Sequence, residues 1–467
     1  MDIYDLVIKN GTIIDPERKY IKIGQVGING TKISIITDEE ISGKIEIDAE
    51  GMIVCPGFID IHGHIDGHIE CAELSALQGV TTTVGGNCGL SPLDLKKFFQ
   101  DQSLNGFPIN QAQLVGHSFT LRKAVGIESP YVPATKDQIT HMCKLLEKSI
   151  EDGAIGLSFG LEYAPGSSTD EIMTLSNIVA KYKMIIPIHT NLNMPGDLTS
   201  LIEAVRIAEV TGAHVLISHF VYQYGMGLMT EALEIVDKAR ERGIKVSADS
   251  GMYTAFATFI GSTIYDQDYM ERFGWKLEDL LASTGKYKGK RLTPEIYKEL
   301  RNFYKNDSVI CFTGVEDEIY EALLKDYIMV SSDTGPSPTG NAKEGHPQNA
   351  GTFPRFFRKM VREQKSISLL KAIEKCTLLP ASTIGLAEKG RITVGADADI
   401  VIFDINKIED KAEFPDRGEP DEKPKGIYYV IVNGKIVVRE GNLVKGCLPG
   451  KVIRNNRFTY EKEEIYK

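Results

Sequence analysis

Four of the nine histidines, one cysteine and one aspartate stand where short apolar runs end. His62-Gly63-His64 closes GFIDIHGH, Cys88 closes GVTTTVGGNC, His189 closes MIIPIHT, His219 closes HVLISHF, and Asp333 closes YIMVSSD. Side chains alternate along a strand, so Phe58, Asp60, His62 and His64 share one face while Ile59 and Ile61 take the other. Two imidazoles two residues apart at a strand end can hold one metal ion. A lone buried histidine or cysteine is ordinarily packing, but five polar tips at one end of a set of strands read as a ligand set. Imidazole, thiolate and carboxylate together suit zinc.

These tips need a scaffold that gathers strand ends. Between residues 57 and 385 short apolar runs alternate with amphipathic stretches, the pattern of a parallel sheet built from βα units. QAQLVGH, AIGLSFG and KVSADSG complete eight candidate strands. Ser168-Thr169-Asp170-Glu171 reads as a capping box, and LIEAVRIAEVTG has helical periodicity ending at Gly212. The expected fold is α/β, a distorted (β/α)8 barrel, whose chemistry sits at the C-terminal strand ends. One interruption, about 252–325, carries the only tryptophan, Trp275, and is read as a lid over the barrel mouth. Residues 1–56 are β-rich and broken by Asn-Gly pairs at 10–11 and 29–30, and the same texture returns in 386–467. Both chain ends are therefore expected to build one small β-sandwich domain.

Other polar residues carry weaker signals. His68 and His141 fall on helices, and His214 precedes its strand tip. His117 suits a substrate contact or a structural hydrogen bond, and His346, in NAKEGHPQNAGTF, is a candidate substrate contact. Gly156-Leu157-Ser158-Phe159-Gly160 matches G-x-S-x-G, and Ser158, Asp333 and His346 follow the chain order of a hydrolase triad. A nucleophile elbow needs a helix starting at the serine; here Pro165-Gly166 intervenes and the cap comes only at Ser168. The motif is set aside on that ground.

Composition narrows the partners. The 467 residues carry 53 basic and 64 acidic side chains, a net charge of −11, which argues against nucleic acid or an anionic membrane as partner. The opening MDIYDLVIKNG is acidic where a signal peptide is basic, and no apolar run approaches the roughly 20 residues of a membrane span. Seven cysteines without pairing spacings fit a reducing cytoplasm. The expected partner is a small molecule, with self-association left open.

The chain resembles the amidohydrolase superfamily and, within it, the N-acyl-D-amino-acid deacylases. The matching segments include PGFIDIHGHID, QGVTTTVGGNCGLSP, GAIGLSFGLEYAPG, SSDTGP, HPQNAGTFPRFFRKMVRE and TLLPASTIGLAEKGRITVGADADIVIFD. Most amidohydrolases bridge their metals with a carboxylated lysine on strand four; this chain has none there. The deacylase branch uses a strand-two cysteine, matching Cys88. The resemblance implies that Cys88, His189 and His219 hold one zinc tightly. His62, His64 and Asp333, again with Cys88, would form a second, weaker site, and Asp333 would be the general base. It further implies substrate contacts at Glu162, Tyr253, His346, Gln348 and Asn191, Glu162 serving equally as an extra ligand. Relatives carry basic residues where this chain has Asn191, Val221 and Gln348, so a carboxylate clamp is missing. The rival readings are a cyclic-amide hydrolase of the hydantoinase or lactamase kind and a non-catalytic binding protein on the same fold.

Overall fold

The computed structural model describes residues 3–458; residues 1–2 and 459–467 of the expected small domain lie outside that range. The first five strands, β1 (Ile3–Asp15), β2 (Tyr20–Asn29), β3 (Lys32–Thr37), β4 (Ser42–Asp48) and β5 (Ile53–Pro56), belong to one sheet. The two Asn-Gly pairs do different work. At 29–30 the pair turns β2 into β3, with Gly30 at φ 56°. At 10–11 the strand does not end: Asn10 adopts φ 59° within a bulge, and β1 continues along β2 beyond it.

The barrel strands follow: β6 (Phe58–Asp60), β7 (Val80–Gly85), β8 (Asn110–Gln113) and β9 (Val115–Gly116), β10 (Leu157–Gly160), β11 (Ile185–His189), β12 (His214–Ile217) and β13 (Val246–Ser250). β8 and β9 are one barrel strand interrupted at Leu114, and each successive pair is parallel. Helices cover the outside. Thr135 caps Lys136–Asp152 in a full capping box, Ser168 accepts from the backbone N–H of Glu171, and Gly212 ends Thr199–Thr211 at φ 71°.

After β13 the chain leaves the barrel for an antiparallel sheet of β14 (Ala255–Phe259), β15 (Leu280–Ala282) and β16 (Ser308–Phe312). This insertion has its own core, including Ile260, Tyr265, Leu280, Leu300 and Val309. It is shorter than the sequence suggests. The helix Glu316–Leu324 buries Ile319, Ala322 and Leu323 in the main core, as an outer helix of the barrel. The barrel then resumes with β17 (Ile328–Val330), parallel to β13.

The chain returns to the first sheet with β18 (Ile400–Phe403), β19 (Ile427–Val432), β20 (Lys435–Arg439) and β21 (Asn442–Leu443). Side chains from the two arms of this nine-stranded sheet, Ile28 and Ile33 from one and Ile431 and Ile436 from the other, share one core. A last strand, β22 (Val452–Ile453), leaves that sheet and pairs in parallel with β8 of the barrel. Among the described residues no helix is long and apolar enough to cross a membrane.

Candidate metal centre and active site

Barrel closure places the first candidate donors. The backbone N–H of Asp333 donates to the carbonyl of His62 at 2.9 Å, and that of His64 donates to the carbonyl of Thr334 at 2.6 Å. The end of β6 is thereby stitched to the segment after β17, and the side chains of His62, His64 and Asp333 converge. His64 Nε2 lies 3.2 Å, and His62 Nε2 3.5 Å, from Asp333 Oδ1. Cys88 Sγ sits 3.4 Å from His62 Nε2 and 3.5 Å from His219 Nε2, and His219 Nε2 lies 2.8 Å from His189 Nδ1. Two groups sharing His62 result, His62–Cys88–His219 and His62–His64–Asp333, each with its donor atoms within 4.8 Å of one another.

The backbone is bent to achieve this. Cys88, His219 and Asp333 adopt φ of 50°, 32° and 53°, left-handed conformations that side-chain-bearing residues avoid at a cost of about 1–3 kcal/mol each. The surrounding structure holds them there. Ser158 donates its hydroxyl to the Gly86 carbonyl and accepts from the Gly89 N–H at 3.0 Å, clasping the Cys88 loop from both sides. A Cβ on Gly160 would stand 2.1 Å from the Cys88 carbonyl, so only glycine lets strand and loop meet. Ser158 is fully buried; it braces the loop and cannot meet a substrate as a nucleophile.

Electrostatics agree with a cation site. Burial would raise the Cys88 thiol, but the imidazoles of His62, His219 and His189 hold it well below the ordinary thiol range. Burial would keep His64 and His189 neutral; instead Asp333 and Cys88 lift His64 to about 10, and Cys88 with Glu162 lifts His189 to about 9. Asp333 is lowered despite its burial, by His64, His62 and His219. Behind these donors stands a layer of carboxylates. Asp249 faces His62 Nδ1 at 3.3 Å and accepts from the His219 N–H at 2.9 Å, and Glu162 lies 2.8 Å from His189 Nε2. Carboxylates in such positions orient metal-binding imidazoles and raise their basicity. The donor set and its support fit zinc.

The donors open into a cavity of about 500 Å³ between the barrel mouth and the insertion. Glu162, His346 and Gln348 line it; Asn191 and Tyr253 do not. Asn191 bonds Asn193 in the neighbouring loop, and Tyr253 is buried under Arg355 with its hydroxyl donating to the Pro347 carbonyl. Burial depresses His346 to about 3, and its Nδ1 accepts the Gln348 N–H at 3.0 Å, so it is a neutral wall residue. His117 is taken up in a buried cluster with Glu171 and Arg122.

The amidohydrolase family profile matches residues 53–437. The chain belongs to the amidohydrolase family. It is 30% identical to the N-acyl-D-glutamate deacylase of Alcaligenes xylosoxydans xylosoxydans, with 97% of each chain covered. It is 31% identical to the D-aminoacylase of the same organism, over 94% of this chain and 95% of that one. The crystal structure of the N-acyl-D-glutamate deacylase from Bordetella bronchiseptica, complexed with zinc and a phosphonate mimic of the tetrahedral intermediate, superposes with a TM-score of 0.86. It is 28% identical and covers 97% of this chain and 100% of that one. The branch read from the Cys88 motif is thus the branch of these relatives, and the amidohydrolase barrel is the fold.

Four residues of this amidohydrolase escaped sequence reading: Asp249, Tyr222, Gln223 and Tyr269. Asp249 had a signal, the one acid in the candidate strand KVSADSG. Gln223, 2.9 Å from His189, lies one helical turn beyond His219. Tyr222 donates to Gln348, and Tyr269, in the insertion, bonds Glu162. Nothing in their local sequence marks these two tyrosines.

Proposed function

We propose that this amidohydrolase is a zinc-dependent deacylase that hydrolyses the amide bond of a small N-acyl compound. The convergence of six donors from five strand ends carries the reading. Cys88, His189 and His219 would hold one zinc, and His62, His64 and Asp333, sharing Cys88, would hold a second more weakly. When bound there, zinc supplies a Lewis acid that makes water nucleophilic near neutral pH and polarises the amide carbonyl. Water's oxygen bonds to the carbonyl carbon, the C–N bond breaks, and the products are a carboxylic acid and an amine. Asp333 Oδ2 takes the proton from water and returns it to the departing nitrogen, which cannot leave as an amide anion. Gln348 keeps Asp333 in place, its Nε2 donating to the Asp333 carbonyl at 2.7 Å. Seven unpaired cysteines support a cytoplasmic setting.

The test is metal analysis of protein purified without chelator, together with amine release from N-acyl-D-amino acids, N-acyl amines, hydantoins and lactams under added zinc. About one zinc or more per chain and hydrolysis of a linear N-acyl compound are expected. Chain without zinc, or turnover of cyclic amides alone, overturns the reading.

A further inference from the structure

Beyond its histidine donors the cavity is poor in positive charge. Among its described lining residues there is neither lysine nor arginine, whereas Glu162 and Asp333 both face it. The three positions where relatives carry basic residues hold nothing cationic: Asn191 is outside the lining, Val221 is buried, and Gln348 is bonded to Tyr222 and Asp333. The insertion does not make up the deficit. Its Lys286 pairs with Glu299, Lys288 with Glu419, Arg291 with Asp416 and Arg301 with Asp266, and none of them lines the cavity. Arg355 is held by Asp410 and the Met252 carbonyl and stacks on Tyr253, outside the lining, and Lys343 is exposed.

The insertion offers rings instead. Phe256, Phe259, Tyr269 and Trp275 line the cavity, and from the barrel Phe119 and Tyr163 extend that wall, both rings packed against Phe259. Tyr269 gives its hydroxyl to Glu162, and its ring lies between Phe273 and the guanidinium of Arg272, which is bonded to the Asn193 carbonyl and is outside the lining. A carboxylate entering here would lose its water and, away from the metal donors, find no lysine or arginine to pair with; burying an ion without such a partner is costly. An apolar group gains from the same wall.

We propose that the substrate is an uncharged N-acyl amine with an aromatic or branched aliphatic body and no carboxylate beside the scissile amide. The inference rests on the deacylase reading above and departs from the acidic amino acids named for its relatives. Its test is a matched pair, N-acetylphenethylamine and N-acetyl-D-phenylalanine, which differ only by the carboxylate, with N-acetyl-D-glutamate as a third probe. With the zinc-loaded enzyme, kcat/KM is expected to favour the neutral amide by at least about 100-fold. Equal or better turnover of either acid overturns the substrate class and leaves the deacylase reading intact. Binding is read separately from the fluorescence of Trp275, the only tryptophan, which lines the cavity. Should none of the three be hydrolysed, binding still tests the charge preference of the cavity: tighter or equal binding of the acids ends the inference, and tighter binding of the neutral amide leaves that preference standing. In that case it is the deacylase reading that fails on these compounds.

Discussion

The rim of the barrel and the wall of the insertion face each other across one cavity and are built on opposite principles. The rim is dense in charge, strained and stitched: His62, His64 and Asp333 are joined by the hydrogen bonds that close the barrel, and three of the candidate donors occupy left-handed backbone. The insertion wall is uncharged and rich in aromatic rings, with Thr258, Thr284, Asn306 and Ser308 as its polar members, and it is carried by a small sheet with a separate core. Catalysis requires donors held to fractions of an ångström, which parallel strands fixed on both sides supply. Selection among substrates asks only for a surface of suitable shape and polarity, which a self-contained unit can provide without disturbing the rim. Changes at the rim should therefore cost metal and chemistry, and changes in the insertion should cost substrate affinity alone.

The sharpest way to break this division is at Cys88, shared by both proposed metal positions. Cys88→Ala should leave the protein folded but remove its zinc and its turnover, as read by metal analysis and amine release. Full zinc content in that variant would refute the assignment. Asp333→Asn comes next. Its expected effect is a fall in turnover of about 10²–10⁴-fold, the usual worth of a general acid–base group, while the zinc proposed at Cys88, His189 and His219 should be retained. Turnover close to that of the unaltered enzyme would place the base elsewhere.

The rim was legible in the sequence because period and chemistry coincide there. A polar residue that ends an apolar run is conspicuous, and barrel topology sends every such end to one side. Hence His62, Cys88, His189, His219 and Asp333 could be grouped without coordinates. Their partners were harder to read. Asp249 sits in a fully buried strand, where its purpose appears only once His62 and His219 are seen beside it. The insertion wall was the least legible. Its aromatic residues are those of any small core, and only the fold decides which rings face inward and which face the cavity. The limits of the insertion were blurred for a related reason: the amphipathic helix Glu316–Leu324 reads alike whether it covers a lid or a barrel.

Glu162 tests the division at its boundary, since it touches His189 from the rim and Tyr269 from the insertion. Acting through His189, it belongs with the rim. Glu162→Gln should weaken zinc binding by about 10–100-fold, the usual effect of losing a carboxylate behind a metal-binding imidazole, and the activity lost should return with added zinc. Unchanged zinc affinity with a raised KM would move Glu162 to the substrate side.

The smallest expected effect, and the one that decides whether the two walls are separable, comes from Phe259→Ala. Phe259 is on β14, half-buried, with its ring 5.7 Å from Phe119 and 6.0 Å from Tyr163. It lies outside both donor groups, so zinc content should be unaltered. Contacts made equally to substrate and transition state raise KM when lost and leave kcat in place. A tenfold rise in KM, about 1.4 kcal/mol, with kcat within about threefold, is the expected result for a ring that offers only apolar surface. The measurement is steady-state kinetics on the best amide from the screen, with zinc analysed on the same preparation. A fall in kcat at unchanged KM, or loss of zinc, would mean that the insertion helps to shape the rim, and the separation of chemistry from selection would fail.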